Sequence, residues 1–165
     1  MSNKVRFISE GAIIAALYVV LSLLSAAFGL SGGVIQIRVS EALCILPLFT
    51  PAAIPGLFLG CFLTNVLTGC LIWDVVFGSI ATLIGAIGTY HLGKYMKNEK
   101  IKRYIGLLPP IVSNMIIVPI ILTYCYKVTD VMWFIVVTVG VGELLSVGLL
   151  GSFLYSSLKK TKIWK

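Results

Sequence analysis

Long apolar runs, separated by short polar segments, extend through almost the whole chain. A helix needs about 20 apolar residues to cross the hydrocarbon core of a bilayer, which is about 30 Å thick. Five runs have about this length, and each predicts a membrane-spanning helix. They cover residues 8–30, 53–72, 75–93, 105–126 and 131–157.

A sixth apolar run, from Ala42 to Phe49, is too short to cross the core alone. Basic residues cluster near the N-terminus and at 94–103, which predicts that both segments are cytoplasmic. An even number of crossings must then lie between them, so the short run is expected to cross as part of a helix at 39–50. The sequence therefore predicts six transmembrane helices, with both termini cytoplasmic.

The composition agrees with a membrane protein. Of the 165 residues, 59% are hydrophobic and only 12% are charged, and the mean hydropathy is +1.05. A soluble domain is usually about one quarter charged. We therefore expect residues 1–165 to form a single all-α integral membrane domain in a lipid bilayer. The net charge of +7 orients the helices and does not indicate a nucleic-acid partner.

The segment Gln36–Glu41, which we call the polar mouth, places both charge signs between two apolar runs. Arg38 and Glu41 are three residues apart at the predicted start of a helix, and Ser40 is a candidate N-cap. Two interpretations are open for Arg38 and Glu41. They form either part of a ligand-binding mouth or a local salt bridge that shapes the loop.

Three carboxylates are predicted within or at the edge of the membrane: Glu41, Asp74 and Glu143. Such groups are costly in lipid and mark functional sites by default. Glu143 lies twelve residues into the last helix, roughly 18 Å from its start and near the bilayer centre. It is either a ligand contact or a buried carboxyl bonded to another helix. Asp74, next to Trp73, is either a site residue or an interfacial cap beside an aromatic anchor.

Small residues four apart allow helices to approach closely in lipid. Ala12 and Ala16 form A-x-x-x-A on the first predicted helix, and Gly56 and Gly60 form G-x-x-x-G on another. Packing within the protein is the simpler interpretation of either pair. Asn65 and Asn114 are amides within predicted helices, where they can bond a neighbouring helix.

No catalytic or metal-binding pattern is evident. The four cysteines form no C-x-x-C pair, and His91 stands alone. Gly88 to Lys94 reads G-x-x-x-x-G-K, but Tyr95 replaces the Ser or Thr of a phosphate-binding loop. We therefore expect no enzyme, no metal and no cofactor in this chain. A membrane enzyme with paired acids is the least favoured alternative, because no nucleophile-plus-base arrangement is present.

Several motifs together resemble the signature of the queuosine-precursor transporters, the QueT family. The resemblance covers nearly the whole chain, and the motifs occur in the same order. They are Q-I-R-V-S-E-A-L at Gln36–Leu43, L-P at Leu46–Pro47, A-I-P-G-L-F at Ala53–Phe58, D-V-V-F-G-S at Asp74–Ser79, L-P-P at Leu108–Pro110 with Asn114, and G-V-G-E at Gly140–Glu143.

The resemblance implies a substrate-binding S-component of an energy-coupling factor (ECF) transporter in the plasma membrane of a prokaryote. Its implied partners are a transmembrane coupling protein and two ATP-binding-cassette ATPases, which use ATP. The A-x-x-x-A face with Ala12 and Ala16 would dock on the coupling protein. The implied ligand is a 7-deazaguanine precursor of queuosine, such as queuine or its aminomethyl or cyano relatives.

Such a ligand has a guanine-like edge with two parallel N–H donors, which one carboxylate can accept together. Glu143 is the candidate for that role, and Arg38 or Asn114 would donate to the ligand's carbonyl oxygen. Trp73 would stack on the ring, and Asp74 or Glu41 would meet an amine substituent. The alternatives are an S-component for another small aromatic vitamin or amino acid, and a self-sufficient carrier driven by protons through Glu143.

Overall fold

The computed structural model describes residues 2–30 and 36–161, and every regular element in these two ranges is helical. The elements are α1 Asn3–Ala27, a 3-10 helix Val39–Leu48, α2 Ala53–Leu67, α3 Ile72–Tyr95, α4 Glu99–Ile105, α5 Leu108–Tyr124, α6 Met132–Glu143, a π-helical segment Leu144–Gly151 and α7 Ser152–Thr161.

Four helical stretches in the described ranges are long and apolar enough to cross a membrane. They are Asn3–Ala27, Ile72–Tyr95, Ile101–Tyr124 and Met132–Thr161. This confirms the all-α class and four of the six predicted membrane-spanning helices. The other two predicted helices are present but shorter, at Val39–Leu48 and Ala53–Leu67. The side of the membrane on which each terminus lies remains a prediction.

The 3-10 helix Val39–Leu48 forms the centre of the bundle, and residues 40–47 are all buried. A 3-10 helix rises about 2.0 Å per residue, so ten residues extend roughly 20 Å, compared with roughly 15 Å for an α-helix. Protein surrounds it, because it packs against α1, α3 and the π-helical segment. Its backbone is therefore shielded from lipid, which is how short or irregular helices are tolerated at membrane depth.

Ser40 is not the N-cap of this helix, contrary to the prediction. The cap position belongs to Arg38, without a side-chain hydrogen bond. The Ser40 hydroxyl instead accepts a hydrogen bond of 2.7 Å from the hydroxyl of Ser22 in α1. The serine joins the buried 3-10 helix to α1, because its backbone position is already inside the bundle.

The predicted boundary between the helices at 53–72 and 75–93 was wrong. Helix α2 ends at Leu67, and Gly69 turns the chain with a φ of +69°, a value that favours glycine. Helix α3 then begins at Ile72, so Trp73 and Asp74 lie in its first turn and do not interrupt it. A carboxylate in a first turn interacts favourably with the helix dipole.

The last two predicted helices are also subdivided. The region predicted as a helix at 105–126 contains the end of α4, a break at Gly106 and α5, with Pro109 and Pro110 in the first turn of α5. Proline is tolerated there because the first N–H groups of a helix have no partner within it. The region 131–157 changes from α to π geometry directly after Glu143.

The G-x-x-x-G pair packs α2 against α1. A Cβ atom at Gly56 would lie 2.7 Å from the carbonyl oxygen of Gly11, and one at Gly60 would lie 2.7 Å from the Cβ of Tyr18. Ala12 and Ala16, by contrast, are exposed on α1. The glycine pair is therefore used inside the bundle, whereas the alanine pair faces outward.

We expect Gly56→Ala to destabilise the fold by about 1–3 kcal/mol, because the added methyl group overlaps a backbone oxygen that must move. Equilibrium unfolding in mixed micelles measures this change. Gly148→Ala is the matched control, since a Cβ there meets nothing nearer than 3.9 Å. Equal stability of the two variants would contradict the tight α1–α2 contact.

Candidate ligand-binding site

A polar cavity lies between the 3-10 helix, α2, α3, α5 and α6. Five of the six residues predicted to bind a ligand line it: Arg38, Glu41, Asp74, Asn114 and Glu143. The remaining lining residues are Gln36, Cys61, Gly78, Thr82, Val118 and Val139. The fold thus brings together residues that are spread over positions 36 to 143 of the chain.

Trp73, the sixth predicted residue, does not line the cavity. Its side chain is 55% exposed, and its ring stacks on Phe77 one turn along α3, with 6.0 Å between the ring centroids. Asp74, the next residue, faces inward and is 8% exposed. Adjacent helix residues point about 100° apart, so only one of the two can face the cavity. In this arrangement Trp73 is not placed to stack on a ligand, and it fits the alternative of an interfacial anchor.

Glu143 lines the cavity and bonds a neighbouring helix through one of its two carboxylate oxygens. Its Oε1 accepts a 2.9 Å hydrogen bond from the Nδ2 of Asn114 in α5. Its Oε2 is buried and has no hydrogen-bond partner within residues 2–30 and 36–161. A buried acceptor without a donor costs about 1–3 kcal/mol. Oε2 is therefore the atom at which a ligand N–H group gains most.

Two glycines near Glu143 allow close packing around it. A Cβ at Gly142 would lie 2.2 Å from the carbonyl oxygen of Gln36, and one at Gly140 would lie 2.8 Å from the Met115 side chain. The polar mouth and α5 can therefore approach α6 directly beside the carboxylate. The glycines therefore make room for neighbouring protein.

Glu41 is the most deeply buried of the three acids, with 2% exposure. Its Oε1 accepts a hydrogen bond from the Tyr18 hydroxyl of α1, and its Oε2 accepts one of 3.1 Å from the Cys44 thiol. The local salt bridge considered for Arg38 and Glu41 is not formed. The ion pairs of the described residues join Arg6 to Glu10 and Lys159 to Glu99.

Arg38 lies between two cavities. Its backbone N–H donates a 3.2 Å hydrogen bond to the Ser146 hydroxyl of the π-helical segment, which fixes the polar mouth to the bundle. Its side chain lines both the polar cavity and a second cavity of about 140 Å³ between α1 and α2. Thr64, Asn65 and Cys70 line the second cavity as well.

Asp74 is fixed from two directions. Its Oδ2 accepts a 3.2 Å hydrogen bond from the Tyr126 hydroxyl, and its backbone oxygen accepts one of 3.2 Å from the Nδ2 of Asn65 in α2. The second bond confirms that Asn65 joins two helices. Burial and the nearby Asp74 charge raise the pKa of Tyr126 to about 12, so this phenol remains a donor at physiological pH.

The lining charges do not balance. Three carboxylates face one guanidinium, so the cavity carries two excess negative charges when all four groups are ionised. The space among them is about 30 Å³, which is enough for about one water molecule. Binding of a ring-sized solute therefore requires side chains to move, and the arrangement favours a solute that carries N–H donors or positive charge.

A family model described as "QueT transporter" matches residues 8–160. The chain belongs to the QueT transporter family. This confirms the resemblance drawn from the sequence motifs, and the matched family is described as one of transporters and not of enzymes.

A curated relative, "Queuosine precursor transporter QueT" from Lactococcus lactis subsp. cremoris (strain MG1363), is 38% identical over 73 residues. The match covers 44% of this chain and 43% of the relative, which is less than half of either. No solved structure matches the chain.

Sequence reasoning missed the phenols that hold the acids of this QueT family member. Tyr18 belongs to a buried stripe on α1 that also includes Gly11, Ala15 and Ser22. The spacing of this stripe by three and four residues was a usable signal of an inward-facing helix surface. Tyr126 gave no such signal, because its contact with Asp74 is 52 residues away in the sequence.

Proposed function

We propose that this chain is the substrate-binding S-component of an ECF importer for 7-deazaguanine precursors of queuosine. One observation supports the site in particular. In a member of the QueT transporter family, three carboxylates, a guanidinium and an amide converge on one cavity inside an otherwise apolar bundle. The name of the Lactococcus relative supports the ligand class.

Glu143 recognises the guanine-like edge of the ligand in this proposal. Its Oε2 takes one N–H of the ligand directly. Its Oε1 takes the second N–H, because a carboxylate oxygen has two lone pairs and Asn114 uses only one of them. Asn114 thus holds the carboxylate in a fixed orientation before the ligand arrives.

The ligand's carbonyl oxygen is met by the second N–H of Asn114 or by Arg38, whose guanidinium is in neither of the ion pairs found in the described chain. The flat faces of the ring lie between Val118 and Val139, the aliphatic side chains of the cavity lining. These residues replace Trp73 in the proposed stacking role.

Asp74 and Glu41 set the preference for the substituent on the ring. Both are nearly fully buried and both face the cavity. A protonated amine on the ligand reduces the excess negative charge, whereas a nitrile leaves it unchanged. The site therefore favours the amine-bearing precursors over the cyano compound.

The energy for transport comes from partner subunits. The stretch Gly88–Lys94, which resembles a phosphate-binding loop in its spacing, lies within helix α3 and has no loop geometry. Ala12 and Ala16 are exposed on α1 and form the proposed contact with the coupling protein, which works with two ATPases. We place the subunit in the plasma membrane of a prokaryote, with both termini cytoplasmic.

The first prediction about the proposed function concerns Glu143. We expect Glu143→Gln to weaken binding of an aminomethyl-deazaguanine about 10- to 100-fold, because the new amide nitrogen then faces a ligand N–H. A hydrogen bond to a charged group contributes about 1.5–3 kcal/mol, which sets the size of this loss. Titration calorimetry on the purified chain measures this loss. Glu10→Gln, at a carboxylate bonded to Arg6 and Thr50 away from the cavity, is the control. Equal affinities of the two variants would remove Glu143 from the site.

The second prediction concerns charge selectivity. We expect Asp74→Asn to reduce the preference for the aminomethyl over the cyano ligand about tenfold, with little change for the cyano ligand. Asparagine can still accept the hydrogen bond from Tyr126, so the segment that follows α5 remains joined to α3. The ratio of the two dissociation constants is the readout, and Asp130→Asn is the control at an exposed acid. An unchanged ratio would rule out a role of Asp74 in selectivity.

The third prediction concerns the partner. We expect Ala12→Leu with Ala16→Leu to abolish co-purification with the coupling protein and ATPases, because the added side chains prevent close helix contact. Ligand binding by the isolated chain should persist. Ala27→Leu, at another exposed alanine of α1, is the matched control.

Uptake by the purified chain alone, driven by a pH gradient, would instead support the proton-coupled carrier.

A further inference from the structure

A large concave surface lies outside the polar cavity. It is a groove of about 750 Å³ between α5 on one side and the π-helical segment with α7 on the other. Its walls are formed by Leu108, Ile111, Leu144, Leu145, Leu149 and Phe153. Several of these side chains are well exposed, including Leu149 at 66% and Phe153 at 73%. The groove therefore faces the surroundings of the bundle and not its core.

The length of the groove corresponds to one leaflet of a bilayer. It extends along the π-helical segment and α7 from Leu144 to Ser156, which is roughly 18 Å at 1.5 Å per residue. That is about half of a hydrocarbon core of about 30 Å. A single lipid acyl chain matches this length and the apolar walls.

The middle of the groove is open at Gly148. A Cβ atom there would approach only the Cδ2 of Leu144, at 3.9 Å. Gly148 lies in the π-helical segment, a geometry that is rare and often found at functional sites. The space at this position is therefore available to a molecule in the groove.

One end of the groove is basic. The Nε of Arg103 donates a 3.2 Å hydrogen bond to the Ser152 hydroxyl, which holds the guanidinium at the groove end. Lys160 lines the adjoining depression together with Arg103. The single acid there, Glu99, pairs with Lys159 at 3.1 Å. Hydrogen bonds from Tyr155 and Lys159 lower the pKa of Glu99, so it stays ionised and keeps its ion pair with Lys159.

We propose that this groove binds one anionic phospholipid, with an acyl chain along the leucine walls and the phosphate at Arg103 and Lys160. Basic pockets between membrane helices are suited to anionic headgroups, and each nearby cation strengthens the attraction about fivefold. The combination of an apolar groove one leaflet long and a basic end is complementary to this molecule. A helix of another protein would fill the apolar part but would leave the cations without a partner.

The test uses the full chain in zwitterionic micelles, titrated with fluorescent phosphatidylglycerol or phosphatidylcholine that carry the same acyl chains. We expect phosphatidylglycerol to bind at least tenfold more tightly. Arg103→Gln and Lys160→Gln should each weaken its binding about fivefold and weaken phosphatidylcholine binding less, because choline already neutralises the phosphate of that lipid. Gly148→Phe should weaken binding of both lipids, because it fills the groove.

Matched controls separate this site from the general basic surface. Lys94→Gln removes an exposed lysine that lies outside the groove, and Val137→Phe adds a ring at an exposed position of α6 outside it. Circular dichroism checks that each variant folds, and Lys160→Gln at an exposed helix end keeps the test valid if Arg103→Gln misfolds. Equal binding of the two lipids, or an equal effect of Lys160→Gln and Lys94→Gln, would overturn the proposal.

Discussion

The need to supply each buried carboxylate with a hydrogen-bond donor governs this structure. Carboxylates in lipid are costly, so each of the three acids accepts a hydrogen bond from a distant part of the chain. Tyr18 of α1 bonds Glu41, Asn114 of α5 bonds Glu143, and Tyr126 after α5 bonds Asp74. The contacts that make the acids tolerable also join the helices, so the fold and the polar cavity depend on the same interactions.

The hydrophobic pattern predicted the long helices well because a spanning helix needs little more than length and apolar character. It could not predict that residues 39–48 adopt 3-10 geometry, since that depends on burial by α1, α3 and the π-helical segment. The early end of α2 was missed for a related reason. Cys70 and Leu71 are as apolar as a helix interior, and the turn depends on Gly69 alone.

The acids, Arg38 and Asn114 could be identified as site candidates because polar groups in an apolar stretch are unusual. The tyrosines that bond Glu41 and Asp74 could not, because they are separated from these acids by 23 and 52 residues and tyrosine is common at membrane interfaces. Trp73 shows a different limit of prediction from the sequence. Its proximity to Asp74 in the sequence gave no information on direction, and the α3 backbone turns the two side chains to different surfaces.

Glu143 links these hydrogen-bonded acids with the proposed binding of a ligand. Within the described residues no donor reaches Oε2 of Glu143. A buried acceptor without a donor destabilises the folded state by about 1–3 kcal/mol. A ligand that supplies the donor removes this cost and adds its own hydrogen bond. Under the proposal that Glu143 binds the ligand, ligand binding and stability are linked through one atom, because anything that binds the folded state stabilises it. A site that is complete only with its ligand discriminates strongly against molecules that lack the matching donors.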